Sequence, residues 1–466
     1  MLSRSPPKLI NLMRGWPAPS LLAPNLLTSA AQSVLSNPAT FIPALQYGPD
    51  PGYQPLREAL AQWLGRHFNV KPDPERICIS GGASQNIACI LQSFTDPEYT
   101  RAIWMIAPCY HLAFDIFKDA GFAGRLRAFP EDDEGVDLKA LEEGIRKLNE
   151  EEEEKDKPPG RTYKDPGKHR KHYRHIIYVV PTCANPSGKT MSLRRRRGLV
   201  ELARKYDALI ICDDVYDFLQ WPLDGNLTPP SEWPPEMKLP RLCDVDLAMG
   251  QAKDDPHGFG YAVSNGTFSK MVGPGIRTGW VEGSPSFAFG LAQTGSTKSG
   301  GSPSQLCAAM MSKLVRSGEL EDYLEKFVRP ALQRRHKIMV DAIHKYLTPH
   351  GLRFHETGLL GTDACGGYFI WLTLEEGISA RVVADAALRE ENLIVASGDI
   401  FEVPGNEESF NFDYAIRLTF SWESEEDLLE GVRRLGAVIE RVKQDPARYQ
   451  ELARQGRDDN LIDNSK

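Results

Sequence analysis

The chain has 466 residues, 41% of them hydrophobic and 25% charged, with a formal net charge of −8. That apolar fraction supplies a globular core and excludes global disorder, while 39 Gly without a G-X-Y period and 34 scattered Pro exclude a collagen-like or coiled-coil chain. The acidic balance argues against a nucleic-acid groove, no apolar run approaches the roughly 20 residues of a membrane span, and the length corresponds to about two to four domains.

In chain order, residues 1–46 read as Pro-rich and mostly irregular, with a helical pattern near Leu26–Leu35. Residues 55–68 carry Leu56, Leu60, Trp63, Leu64 and Phe68 on one helical face, with Pro55 in the first turn. RICISGG predicts a short strand ending in glycines and ASQNIACILQSF a helix; AIWMIAP predicts a strand and YHLAFDIFKDAG a helix stopping at Gly121. HIIYVVPT (strand), SLRRRRGLVELARKYD (helix), ALIICDDVY (strand) and YAVSNGTFSK (strand) follow. This alternation with continuous apolar strands predicts an α/β fold whose mostly parallel sheet is covered by helices on both faces.

Two segments interrupt the pattern. Residues 146–175 set an acidic run beside a basic, Pro- and Gly-containing one and read as a solvated or disordered insertion. Residues 222–258, rich in Pro and Asp, read as a surface loop near the site. Beyond Pro303 a long helical stretch, Ser304–Tyr346, leads to LRFHE, GGYFIWLTL and YAIRLTFS as strands, with ISARVVADAALRE and SEEDLLEGVRRLGAVIERV as helices, a smaller α/β domain. The expected division is an N-terminal segment 1–46 reaching the small domain and the substrate entrance, a large domain 47–320 and a C-terminal small domain 321–466.

The eight Cys, several inside apolar runs (Cys78, Cys89, Cys212) and none in a C-x-x-C pair, read as small buried hydrophobes rather than a metal or redox site. The N-terminus lacks an apolar signal core, so a cytoplasmic location is expected.

Four motifs carry chemistry. In SNGTFSKMVGPGIRTGW, Lys270 ends an apolar strand after Thr267 and Ser269, and Arg277 follows across a Gly-Pro-Gly turn. A desolvated lysine with a lowered pKa is the chemistry of a Schiff-base lysine, and hydroxyls with an arginine fork suit a phosphate. In ICDDVY, Asp213 and Tyr216 leave the carboxyl end of a strand, where α/β sheets bind ligands. An acid there can hold a protonated pyridine nitrogen; a helix cap or a metal ligand is also consistent, metal less so without a nearby His. PTCANPSGK presents Asn185 on a turn and, alone, is an ordinary turn. SGGASQNI puts Gly82, Ala83 and Ser84 at a helix N-terminus, an anion site that is neither a P-loop nor a dinucleotide fingerprint.

Taken together these motifs resemble a pyridoxal 5′-phosphate enzyme of fold type I, in the class I/II aminotransferase family, close to the aminoadipate, kynurenine and aromatic aminotransferase branch. The resemblance spans about Ile10 to Val442, outside the two insertions. It implies that Lys270 is the Schiff-base lysine, that Asp213 takes the pyridine nitrogen, and that Asn185 and Tyr216 reach the ring hydroxyl. It further implies that Tyr110, in APCYH, stacks on the ring, and that Gly82, Ala83, Ser84, Thr267, Ser269 and Arg277 hold the phosphate. Tyr47, in YGPDPGYQPLREAL, would reach the phosphate of a neighbouring subunit in a homodimer. Arg417, in IRLTFS, would grip the substrate carboxylate. Gly15 and Trp16, in RGWPAPSLLAP, would line the entrance.

The implied reaction is ping-pong transfer of an amino group between an L-amino acid and a 2-oxo acid, with Lys270 as general base and acid. Lyases, decarboxylases and cyclising enzymes share the same cofactor residues and stay open as alternatives. A cofactor-binding regulator or a non-catalytic interaction protein is disfavoured by the acidic charge and the intact Lys270, Asp213 and Arg417. Trp16, Leu21 and Leu22 point to an apolar or aromatic substrate side chain.

Overall fold

A computed structural model describes residues 7–153, 162–223, 233, 238–359 and 362–454. Among these residues, eight strands form a central sheet in the order Ile77–Ser80, Gly279–Glu282, Ala262–Thr267, Ala208–Asp213, His175–Val179, Ala102–Ala107, Leu126–Asp132 and Gly135–Val136. Gly279–Glu282 runs antiparallel to both of its neighbours, Gly135–Val136 antiparallel to Leu126–Asp132, and the remaining pairs are parallel. Every residue of His175–Val179, Ala208–Asp213 and Ala262–Thr267 is buried, which is why these strands are continuous apolar runs instead of alternating ones.

A second, four-stranded sheet has the order Arg353–Phe354, Phe369–Thr373, Ala415–Thr419, Ala396–Ser397, antiparallel throughout. Helices Ala380–Glu391 and Glu425–Gln444 accompany it; the latter starts on Ser424, whose side chain caps Asp427 N–H, with Glu425, Glu426 and Asp427 in its first turn. The N-terminal segment belongs to this part of the molecule. Ile10–Asn11 pairs in parallel with Leu393–Ile394, Thr419 N–H donates to Leu12 O at 2.8 Å, and Ala18 N–H donates to Ser421 O at 2.8 Å.

Several expectations change. The 146–175 insertion is not a loop at its edges: helix Leu138–Glu153 enters it, Tyr173 is fully buried, and strand His175–Val179 begins inside it. Its centre, 154–161, lies outside the described residues. The 222–258 segment is not simply a surface loop, since it contains helix Leu242–Ala248 with Leu242, Asp244 and Asp246 buried. The expected helix over 110–121 is a 3₁₀ turn, one α-turn and a π-turn in which Gly121 adopts φ 95°. The long 304–346 helix breaks at Gly318, with φ 80°, into Gln305–Ser317 and later helical segments ending in Arg329–Tyr346. Of the 1–46 segment, residues 1–6 lie outside the described residues, and the rest is more regular than expected, with helices Pro24–Leu35 and Pro38–Leu45.

Candidate active site

Five parallel strands end on the same edge of the large sheet, and each delivers part of the site. Ile77–Ser80 leads to Gly82–Ser84, Ala102–Ala107 to Tyr110, His175–Val179 to Asn185, Ala208–Asp213 to Asp213 and Tyr216, and Ala262–Thr267 to Thr267, Ser269 and Lys270. All of these except Gly82 line a cavity of about 220 Å³, together with Gly15, Trp16, Arg277 and Arg417. Ligands of open α/β sheets bind at this edge.

At one end stands an anion cradle. Gly82 precedes helix Ala83–Phe94 with φ 111°, where a side chain would be strained, and an added Cβ would meet Arg277 Nη2 at 3.1 Å. Bare glycine thus brings the guanidinium close to the helix N-terminus, whose unpaired N–H groups and dipole favour negative charge. Arg277 itself has φ 46° and donates through Nη1 to Pro274 O at 3.1 Å. Thr267 Oγ1 donates to Ser269 Oγ at 2.9 Å and accepts from Ser269 N–H at 3.2 Å, so the two hydroxyls are mutually oriented beside the arginine.

In the middle, Lys270 Nζ donates to the Gly15 carbonyl at 2.8 Å and lies 5.2 Å from the centre of the Tyr368 ring. Burial, offset by Asp213 and reinforced by Arg417, brings its amine down to about 8. Asp213 is 6% exposed; it accepts from Tyr178 Oη at 2.8 Å and from Asn265 Nδ2 at 3.0 Å. Burial pushes its carboxyl up to about 6, against the lowering effect of Tyr178, Lys270 and Asn265. A buried carboxylate of this kind is completed by a cationic or N–H partner. Tyr110 is pushed up to about 12, chiefly by burial and then by Asp213, and Tyr216 is raised by burial, so both are neutral phenols.

At the other end, Arg417 Nη1 donates to Asn185 Oδ1 at 2.7 Å and Nη2 donates to the Met13 carbonyl. The guanidinium lies 4.1 Å from the Phe369 ring centre and 4.8 Å from that of Phe401, and its buried Nε has no partner among the described residues. Burial brings its pKa down to about 10, so it stays charged at neutral pH. A buried, aromatic-walled guanidinium with an unused donor is suited to a carboxylate.

Two expected residues stand elsewhere in the chain's own site. Gly82 stands at the helix start against Arg277 without itself lining the cavity, and Tyr47 is 89% exposed and does not line it either. Of the residues expected at the entrance, Trp16 is 45% exposed at the mouth and packs edge-on to Trp422, while Arg14 lies between the two indoles at 4.7 and 5.0 Å. Leu21 and Leu22 do not line the cavity; Leu112, Ile116 and Phe369 are among its apolar lining, with Met13, Ile87 and Val180. The described residues of 222–258 do not line it either. Sequence reasoning missed Tyr178 and Asn265, which hold Asp213, and Phe369 and Phe401, which hold Arg417. The signal for the first pair was available: both lie on strands neighbouring Ala208–Asp213, near their carboxyl ends.

The profile of the family "Aminotransferase class I and II" matches residues 18–435. The chain belongs to that family. An uncharacterized protein of Saccharomyces cerevisiae, YER152C, is 33% identical over 92% of this chain and 97% of its own length. Aromatic-amino-acid aminotransferase 1 of Thermococcus litoralis is 30% identical over 92% of this chain and 88% of its own. The crystal structure of Pyrococcus horikoshii kynurenine aminotransferase, in complex with PMP, superposes with a TM-score of 0.71 at 26% identity, covering 93% of this chain and 91% of that one. This aminotransferase is therefore a pyridoxal 5′-phosphate enzyme of fold type I. Its own donor set fits that cofactor: an anion cradle, a buried acid facing a buried amine, and neutral phenols beside them.

Proposed function

We propose that this aminotransferase moves the amino group of an aromatic or apolar L-amino acid to a 2-oxo acid, and that the residues converging on the cavity divide the work as follows. The Gly82–Ser84 helix start, Thr267, Ser269 and Arg277 hold the cofactor phosphate. Asp213 holds the ring nitrogen, Tyr110 the ring face, and Asn185 with Tyr216 the ring hydroxyl. When bound, pyridoxal phosphate supplies an electron sink for the pair left when the substrate α-proton departs.

The protein's part is positioning and proton handling. Arg417 fixes the substrate carboxylate and thereby the bond to be broken. Lys270 Nζ, brought toward neutrality by burial, can give up and take back a proton at physiological pH, as a general base and acid must. Asp213 keeps its charge when a cation sits against it, because Tyr178 and Asn265 already stabilise the carboxylate. The Gly15 carbonyl, from the N-terminal segment, accepts from Lys270 Nζ and orients the amine.

The observation that carries the reading is the alignment of Asp213, Lys270 and Arg417 along one cavity, with Lys270 lowered and both neighbours buried. The substrate class rests on the apolar wall Leu112, Ile116 and Phe369 and the Trp16 mouth, and on similarity to the Thermococcus aromatic aminotransferase. A homodimer is part of the proposal: Leu35, Ile42 and Leu45 on the N-terminal helices and Tyr47 just beyond them are all exposed, which suits an isologous contact in which Tyr47 serves the partner's phosphate. All eight Cys are free thiols, which fits a reducing compartment such as the cytosol.

A substrate panel tests the assignment. With 2-oxoglutarate as acceptor, Phe, Tyr, Trp and Leu should exceed Asp and Lys in kcat/KM by about tenfold or more. Equal or reversed preference refutes the aromatic and apolar assignment.

A further inference from the structure

The turn that presents Asn185 is held from outside the cavity by a buried acid. Glu131, in strand Leu126–Asp132, has a side chain only 8% exposed. Its Oε2 accepts from Ser187 Oγ at 3.0 Å, and its Oε1 lies 3.4 Å from Lys189 Nζ, which also donates to Asp132 O at 3.1 Å. The turn closes on itself through Gly188 N–H to Ala184 O at 2.7 Å and Ala184 N–H to Lys189 O at 2.8 Å. Its base is fixed by Arg196, which donates to the carbonyls of Met191 at 3.0 Å and Pro181 at 3.1 Å. Asn185 hangs between these anchors, and its Oδ1 receives Arg417 Nη1.

We infer that Glu131 is a positioning residue for the carboxylate clamp: through Ser187 and Lys189 it fixes the 185–189 turn, and the turn fixes Asn185 against Arg417. This rests on the proposed role of Arg417. A buried carboxylate in contact with one lysine and one hydroxyl locks a turn more firmly than either bond alone, because releasing the turn would strand the charge. The charged and titratable groups facing Glu131 are Lys189 from the turn, Asp132 on its own strand (itself paired with Arg195), and Tyr414. Burial raises the carboxyl to about 7, against the lowering effect of Lys189 and Ser187, so the lock weakens on acidification within the working range. The acid is protonated below that value, and the pairing with Lys189 is present above it.

The test is steady-state kinetics of the holoenzyme from pH 6 to 8.5 with Phe and 2-oxoglutarate, for wild type, Glu131→Gln and Ser187→Ala. Glu131→Gln should raise both KM values together by about tenfold while kcat falls less, because both half-reactions load the same clamp. It should also remove the part of the wild-type KM rise that develops as pH falls through about 7. Ser187→Ala, which removes one hydrogen bond, should raise both KM values in the same direction by a smaller factor. KM values within about twofold of wild type at every pH overturn the inference, whatever happens to thermal stability. If Glu131→Gln does not fold, an unchanged KM in Ser187→Ala overturns it instead. A wild-type enzyme that forms no 2-oxo acid from Phe refutes the substrate reading alone, and the same KM comparison is then made with the amino acid that it does convert.

Discussion

Lys270 Nζ donates to the carbonyl of Gly15 at 2.8 Å, so the amine at the end of a large-sheet strand is held by a segment stitched into the smaller sheet. Gly15 has no room to grow. A Cβ there would meet Phe369 Cζ at 2.7 Å, and Phe369 in turn lies 4.1 Å from Arg417. Gly15→Ala should therefore disturb both the lysine contact and the guanidinium proposed to hold the substrate carboxylate. The expected result is a rise in amino-acid KM of about tenfold or more, with bound cofactor retained, measured by kinetics and by the visible absorbance of the holoenzyme.

Asp213 ties stability to pH. Its carboxyl is raised from 3.8 to about 6 in the folded chain, so folding takes up a proton between those values and stability falls as pH rises through that window. The cost persists above pH 6 until a cation lies against the carboxylate. Pyridoxal phosphate should accordingly raise Tm more at pH 7.5 than at pH 5. Asp213→Asn should leave the cofactor-free protein more stable at pH 7.5 by about 1–2 kcal/mol, while lowering turnover by about 100-fold or more. Differential scanning calorimetry with and without cofactor, beside an activity assay, checks both halves.

Arg417 is a fork, not merely a charge. Arg417→Lys keeps the positive charge but cannot hold Asn185, the Met13 carbonyl and a substrate carboxylate at once. We expect kcat/KM to fall by about 100-fold, with cofactor absorbance little changed.

Outside the cavity lining, four buried charges form a closed set. Arg241 contacts Asp244 at 2.8 Å and Glu282 at 2.7 Å, and Arg76 contacts Glu282 at 3.1 Å and Asp244 at 3.4 Å. Arg241→Met strands the acids and should cost about 3–5 kcal/mol in urea unfolding. KM should not change, because none of the four lines the cavity.

That set explains part of what could not be read from the sequence. Arg241 and Asp244 look like solvated loop residues in a Pro- and Asp-rich stretch. Only the fold brings Arg76 and Glu282 to them, turning the stretch into helix Leu242–Ala248. The acidic run at 150–153 looked unstructured because its charge hid that it continues the helix begun at Leu138. The strands carrying Asp213 and Lys270 were legible because full burial leaves continuous apolar runs ending in polar residues. The antiparallel strand Gly279–Glu282 was not, because it follows directly on the Gly-Pro-Gly turn of the Lys270 motif; Trp280 on it packs where a Gly266 Cβ would come within 2.2 Å. Residues of the site in consecutive motifs could be found by pattern. Tyr178 and Asn265 stand near the carboxyl ends of strands that the pattern does show, but that both of them touch Asp213 follows only from the register between three strands.

The most direct test is a single turnover. Holoenzyme is mixed with L-Phe in the absence of any 2-oxo acid, and the released products are counted per site, for wild type and for Lys270→Ala. Wild type should release one equivalent of phenylpyruvate per bound cofactor, then stop until a 2-oxo acid is added, and Lys270→Ala should release none. Ammonia or carbon dioxide from wild type, continued turnover without an acceptor, or an equal burst from Lys270→Ala would contradict the account.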